Sequence, residues 1–288
     1  MNRRTLLLTG AAAGLGALAI DYALREEEAP PPPPRPHLIN GVVWQLHASV
    51  LDPHGYWDRL GANSLLLQWT VADGVSFVPG LLGLPTIEDP PEWGRITQEA
   101  WAQEIIMGLA SRYQEPEARK DVAELAKLSA KIARAPGLPF KPTAFYFPVE
   151  IDPTWQDAAM IAPLLDLIPR PLWVSVYENS NIGGAPLANW LASFLPHDVG
   201  VFLQDGVGLH VRTPQSAVAY GHALQEKLGK HRVRMIAEAF RPDGSGGLRA
   251  ATAAEFKPQL DAYQGFETFV FEGPHYLSRR LVNQLLQG

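Results

Sequence analysis

The sequence of 288 residues contains no cysteine, which excludes disulfide bonds, zinc–thiolate sites, iron–sulfur clusters and lipid attachment at cysteine. Positive charge is also scarce. Lys and Arg number 24 against 30 Asp and Glu, which gives a formal net charge of −6. A chain of this charge is not expected to have nucleic acid or an anionic membrane surface as its main partner.

Several cofactor and nucleophile motifs are missing as well. No H-x-x-x-H or H-x-H pair is present, so no metal site is predicted. The segment Asp205-Gly-Val-Gly208 lacks the third glycine of a dinucleotide loop and begins with an acid that would repel phosphate. No G-x-S-x-G occurs, which leaves a serine nucleophile without support. We therefore predict neither a cofactor nor a metal.

The N-terminal segment has the composition of an export signal. Residues 1–20 carry Arg3-Arg4 and then a Gly/Ala-rich apolar stretch, which resembles a twin-arginine signal, with Ala17-Leu18-Ala19 as a plausible cleavage site. The stretch is shorter than the roughly 20 residues of a membrane span, so a membrane tether is expected only if it stays uncleaved. Residues 21–36 are acidic and proline-rich, typical of a semi-rigid linker. We expect a periplasmic or secreted protein whose folded domain covers residues 37–288.

Within that domain, short apolar runs repeatedly end on a carboxylate. An acid inside a buried strand is costly, so each acid should lie where its strand meets solvent. If the strands are parallel, all the acids lie on one rim, which is where α/β folds bind ligands. The runs are Ala144–Glu150, Leu172–Glu178, Val199–Asp205, Val233–Glu238 and Thr268–Glu272.

Three earlier apolar runs bring the number of predicted strands to eight: Asn40–Leu46, Ser64–Thr70 and Glu104–Ala110. Helical patterns fall between strands, and alternation of strands and helices favours a parallel sheet. The domain has the size of an α/β (β/α)8 TIM barrel, which is the predicted fold. A doubly wound open sheet is the alternative, without the glycine-rich loop it would need. The helices are predicted at 116–135, 213–228, 254–263 and 277–286, and a long loop at 71–95 could form an extra hairpin.

Two acids are the candidate catalytic pair. Glu150 and Glu238 end the fourth and seventh predicted strands and would face one another across the barrel mouth. Cleavage of a glycosidic bond needs two carboxyls that flank the sugar, one protonated and one ionised. Each acid on the rim also has a structural interpretation, as a helix cap or the partner of a basic residue. Glu272 is the least favoured catalyst.

Further polar and aromatic residues lie near the same predicted rim. Aromatic faces stack on sugar rings and amides bond hydroxyl groups, so this mixture suits a saccharide. Trp44 and Trp69 are equally consistent with core packing, because tryptophan is largely buried on average. The predicted substrate-binding residues are Asp205, Glu178, Gln204, Tyr177, Trp44, Gln45, Gln68, Trp69, Tyr146 and His210.

The order of these motifs resembles an uncharacterised, glycosidase-like TIM-barrel family of exported bacterial proteins, related to the glycoside hydrolase TIM-barrel superfamily. The resemblance implies a carbohydrate-active fold. Retaining glycosidases of that superfamily usually have Asn before the strand-four acid, whereas Val149 precedes Glu150 in this sequence. The resemblance is carried by Leu65–Thr70, Met107–Leu109, Phe145–Ile151, Val174–Tyr177 and Phe202–Gly208.

Together these features predict an exported glycoside hydrolase-like enzyme that cleaves a polysaccharide, oligosaccharide or cell-envelope glycan. Glu150 would act as general acid/base and Glu238 as nucleophile, with Asp205 and Glu178 tuning their charge or binding sugar. One alternative is a non-catalytic glycan-binding or assembly protein, which Val149 favours. Another is a metal-dependent hydrolase that uses Asp205 with histidines.

Overall fold

The structure, a computed structural model, describes residues 37–287. The predicted export signal and linker lie outside the described residues. No helix within residues 37–287 is long and apolar enough to cross a membrane.

Eight parallel strands form a closed barrel, as predicted. Each strand pairs with its neighbours in chain order, and the last strand returns to the first with Gly41 opposite Phe269 and Val42 opposite Val270. Closure leaves no strand edge in this sheet. The strands are β1 (Gly41–Trp44), β2 (Ser64–Leu67), β3 (Glu104–Gly108), β4 (Ala144–Ile151), β5 (Leu172–Val176), β6 (Val199–Gln204), β7 (Val233–Glu238) and β8 (Thr268–Phe271).

The five acids lie at one rim of this barrel, which confirms the sequence pattern. Glu150 and Glu238 are at the carboxyl ends of β4 and β7, while Glu178, Asp205 and Glu272 follow β5, β6 and β8 within two residues. Because all eight strands run in the same direction, their carboxyl ends meet at the barrel mouth.

The inside of the barrel is filled by a separate cluster of apolar side chains. Successive residues of a strand point to opposite faces, so every second residue reaches this interior. Near the amino end of β7, the Arg234 guanidinium stacks 4.0 Å from the Trp173 ring centre and pairs with Glu267 at 2.6 Å. Burial of each large side chain contributes roughly 1.5–3 kcal/mol. The interior residues include Val43, Leu66, Ile106, Tyr146, Trp173, Phe202, Ile236 and Phe269.

Helices follow the strands and cover the outer face of the barrel. Their apolar sides pack on the intervening strand residues, which belong to a second and larger core cluster. The predicted helix at 116–135 is interrupted at Asp121, and the other three predicted helices are present. The helices are α1 (Trp93–Ile96), α2 (Glu115–Lys120), α3 (Val122–Ile132), α4 (Ile161–Leu165), α5 (Gly184–Ala192), α6 (Pro214–Leu228), α7 (Ala253–Ala262), α8 (Gly273–Tyr276) and α9 (Arg279–Leu285).

The long loop after β2 contains the extra hairpin. Val71–Ala72 and Val75–Ser76 pair antiparallel around Asp73-Gly74, whose positive φ angles of 49° and 80° suit a two-residue hairpin turn. Ala110–Ser111, just beyond β3, adds a third strand parallel to the first. The pairing in this small sheet joins the loops that follow β2 and β3 on one side of the mouth.

Candidate active site

The alternation of side chains divides the five acids into two sets. In β7, Ile236 belongs to the barrel interior and Ala237 to the outer core, so Glu238 returns to the interior side. In β4, Val149 packs in the outer core and Glu150 takes the interior side. By the same alternation Glu178, Asp205 and Glu272 point toward the helices and loops. The candidate catalytic pair is therefore the pair of acids that face the mouth.

Glu150 is half-buried and held by an amide. Gln204 Nε2 donates a hydrogen bond of 2.6 Å to Glu150 Oε1. Burial raises the pKa of Glu150, although the bond from Gln204 and the charge of Arg119 act in the opposite direction. A carboxyl with a raised pKa in a partly open mouth can remain protonated and donate its proton.

Glu115 was not predicted as a site residue, yet it lies beside Glu150. Its Oε1 accepts the Glu150 backbone N–H at 2.9 Å, and Arg119 Nε donates to the Glu150 carbonyl at 3.3 Å. Glu115 and Arg119 also pair with each other at 3.2 Å. Burial, followed by the charge of Glu150, raises the pKa of Glu115 to about 8. The two side chains fix the backbone at Glu150, where the pairing of β4 with β5 shifts register.

Glu238 is enclosed by the loop that follows β6. Only 3% of the residue is exposed, and Gly208 N–H donates to its Oε2 at 2.7 Å. A Cβ at position 208 would lie 2.7 Å from Glu238 Cβ, so only glycine permits this close approach. Burial and the neighbouring Asp205 charge raise the pKa of Glu238 to about 8.

Asp205 is completely buried and its carboxylate already has several donors. Tyr263 Oη and Gln259 Nε2 donate to Oδ2 at 2.7 and 2.5 Å, while the backbone N–H groups of Val207 and Glu238 donate to Oδ1. Burial raises the pKa of Asp205 against these four bonds, which all favour its charged form. Asp205 therefore joins the loop after β6 to β7 and α7, and acts on the mouth through its charge.

Glu178 is also completely buried, in an ion pair with Arg212. Arg212 Nη2 lies 3.2 Å from Glu178 Oε2, and both side chains are almost fully enclosed. The Arg212 guanidinium stacks 4.3 Å from the Tyr220 ring centre. This pair connects the loop after β5 to the segment before α6.

The pKa of Tyr177 responds to the charge of both interior acids. Burial, then the charges of Glu238 and Glu150, raise the pKa of Tyr177 to about 12. The phenol, which is partly exposed at the end of β5, is therefore subject to the charge of both carboxyls.

The other predicted binding residues differ in exposure. Trp44, Trp69 and Tyr146 are buried, and the two indole N–H groups donate to the carbonyls of Val50 and Leu46.

Gln45, Gln68 and Gln204 are partly exposed, and the buried Oε1 of Gln68 has no partner among the described residues. His210 is exposed on the loop after β6, with a positive φ of 59°.

Glu272 and His275 form a separate cluster on the rim between β8 and β1. Glu272 is 3% exposed; its Oε1 accepts the Gln45 N–H at 2.8 Å and its Oε2 bonds to His275 Nδ1. Burial raises the pKa of Glu272, although His275 and the Gln45 N–H oppose the shift. Across residues 37–287, no three His, Asp or Glu side chains come together as a possible metal site.

Comparison with known proteins adds similarity of fold. No protein-family model matches the chain, and no curated protein is significantly similar in sequence. A proposed alpha-L-fucosidase from Bacteroides thetaiotaomicron VPI-5482 superposes with a TM-score of 0.54 at 14% identity, covering 88% of this chain and 93% of that one. A GH18 chitinase from Pseudoalteromonas aurantia gives a TM-score of 0.45 at 10% identity, covering 72% and 85%. The chain has a TIM-barrel fold that is similar to that of this fucosidase structure.

Proposed function

We propose that this protein is an exported glycoside hydrolase that cleaves a polysaccharide or cell-envelope glycan with Glu150 and Glu238. The observation that carries this proposal is the placement of both carboxyls on the interior side at the mouth, with their pKa values raised by burial. Two carboxyls that flank one bond are the machinery of most glycosidases. The glycosidase-like fold supports the same chemistry.

Glu150 is assigned as the general acid because burial raises its pKa, which favours the protonated form, in a partly open position. It donates its proton to the glycosidic oxygen as the bond to the anomeric carbon breaks. Glu238 attacks that carbon as a carboxylate, so it must first lose the proton that its pKa of about 8 retains at neutral pH. Water then releases the sugar, with Glu150 accepting the proton. In this proposal Gln204 orients Glu150, and Gln68 and Tyr177 bond sugar hydroxyls.

A second function, glycan binding without cleavage, is favoured by the enclosure of Glu238. Gly208 packs closely against Glu238, and its N–H donates a hydrogen bond to Glu238 Oε2. In this arrangement the loop at 206–209 must move before a sugar can reach the carboxyl. A protein in which that loop stays closed would hold a glycan in the mouth and leave it intact.

A screen of the full-length protein against bacterial exopolysaccharides, scored for cleavage and for binding, separates the two functions. Glu150→Gln and Glu238→Gln should each abolish cleavage and retain binding, because the amides keep the shape and lose the proton chemistry. Glu117→Gln is the matched control, since Glu117 is exposed on α2. Unchanged cleavage in either active-site variant would refute the hydrolase. Binding by the wild type without any cleavage would favour the second function.

Export is part of the proposal and rests on residues 1–20. The experiment is N-terminal sequencing of the protein recovered from the periplasm and the medium. A mature chain that begins close to residue 20 is expected. Recovery of the uncleaved chain with the membrane fraction would indicate a tether instead.

A further inference from the structure

A cavity of about 330 Å³ opens on the rim between β8 and β1, beside the mouth. This volume is at the lower end of the range for small-molecule sites. Side chains from both loops line it, and they combine rings with polar groups. The lining residues are Gln45, His47, Ser49, Phe271, Glu272, His275 and Tyr276.

The Glu272–His275 pair gives the cavity a defined hydrogen-bonding group. Glu272 is almost fully buried, and its two oxygens are occupied by the Gln45 N–H and His275 Nδ1. A carboxylate on Nδ1 favours the tautomer in which Nδ1 carries the proton, which leaves Nε2 as an acceptor. The His275 side chain is 40% exposed, so a ligand hydroxyl can reach this nitrogen.

Aromatic rings border the same space. Tyr276 is partly exposed and lies 6.0 Å from the His275 ring, and Phe271 is partly exposed at the end of β8. The lining residue His47 is in turn met edge-on at 5.9 Å by Tyr113, which is 40% exposed. Such rings stack on the apolar faces of pyranoses.

The charge of the cavity indicates an uncharged ligand. Of the seven residues that line it, none is Lys or Arg, and the single acid is already bonded on both oxygens. A carboxylated or phosphorylated sugar would find no permanent positive charge here. A neutral pyranose offers hydroxyl groups for His275, Gln45 and Ser49 and an apolar face for Tyr276.

We propose that this cavity is a binding subsite for one neutral pyranose unit, with His275, oriented by Glu272, as the hydroxyl acceptor and Tyr276 as the stacking ring. The inference deepens the proposed function and rests on it: a glycan that runs from the β4–β7 side of the mouth toward β8 and β1 would place a second sugar here. The pair Glu272–His275 holds that sugar and takes no part in bond cleavage.

The test uses the full-length protein with free glucose, mannose, galactose and N-acetylglucosamine, and with glucuronate as the charged comparison. Binding is followed by the histidine ring signals in NMR, with the His275 signal assigned by its loss in His275→Gln. At least one neutral sugar should shift that signal. Affinity should fall about fivefold in Tyr276→Ala, the size expected for one lost stacking ring.

His197→Gln, at an exposed histidine on the segment after α5, is the matched control and should leave affinity unchanged. The proposal is overturned if no neutral sugar shifts the His275 signal, if Tyr276→Ala binds as the wild type does, or if glucuronate binds most tightly. Monosaccharide binding does not require cleavage. The subsite therefore stands or falls separately from the loss of hydrolysis in Glu150→Gln and Glu238→Gln.

Discussion

The buried Glu178–Arg212 pair allows the most direct test of how this rim is built. Sequence alone suggests Glu178 as a sugar ligand, but in the structure its carboxylate is enclosed and faces Arg212 at 3.2 Å. Arg212→Met removes the positive partner and keeps much of the apolar stem. Glu178 is then left as a buried charge without compensation, which is strongly unfavourable.

The expected magnitude follows from the enclosure of the pair. Both side chains are at most 1% exposed, so solvent cannot replace the lost partner. Loss of one member of a buried pair costs about 3–5 kcal/mol of folding free energy. For a domain of this size, about 1 kcal/mol corresponds to about 2–4 °C in melting temperature. Arg212→Met should therefore melt about 6–20 °C below the wild type.

The assay is urea unfolding and thermal melting of Arg212→Met, Glu178→Gln and the double variant Glu178→Leu/Arg212→Met. The double variant should recover much of the loss, because two apolar side chains leave no buried charge. Glu117→Gln breaks an exposed pair with Lys120 at 3.7 Å and should cost less than about 1 kcal/mol. A loss below about 1 kcal/mol in Arg212→Met would show that the buried pair contributes no more to stability than an exposed one. Weakened glycan binding by folded Glu178→Gln would restore Glu178 as a ligand.

Folding stability should fall as pH rises from about 5 to about 8. Glu238 and Glu115 have pKa values raised to about 8, so they bind protons more tightly in the folded state than in the unfolded state. Urea midpoints that do not change across that range would contradict this. Turnover should rise with pH through about 8 as Glu238 ionises, and Asp205→Asn, which removes the nearby charge, should move this limb of the pH–rate profile to lower pH. An unmoved limb would exclude Asp205 as the cause. Gly208→Ala should lower the free energy of unfolding by about 1–3 kcal/mol, because the new Cβ is forced against Glu238. Gly94→Ala, with open space around it, should be close to neutral. Equal stabilities of the two variants would contradict this expectation.

The barrel could be predicted from the sequence because its strands are apolar runs with abrupt polar ends. Leu172–Val176 and Val199–Gln204 are covered on both sides, and such strands need continuous apolar sequence. The split helix at Asp121 could not be predicted, since the residues on both sides of it keep helical periodicity. The hairpin after β2 had a local signal, the Asp73-Gly74 turn.

The site was less accessible to prediction. The alternation that separates Glu238 from Asp205 is present in the sequence, but its phase depends on which residues fill the barrel, as Ile236 and Phe202 do. Glu115 had no sequence signal, because its importance comes from a bond to the backbone of Glu150, 35 positions away. The bond between His275 and Glu272 had no sequence signal either, because it depends on the turn into α8.

The alternation along the barrel strands also limits how this protein can evolve or be engineered. A single-residue deletion within β7 would shift the register by one and exchange Glu238 with a small residue of the outer core, where Ala237 now packs. The same change in β4 would bring Val149 or Ile151 to the mouth in place of Glu150. New chemistry is therefore accessible through point substitutions at mouth-facing positions and through length changes in the loops beyond them, while changes in strand length destroy the site and the core together.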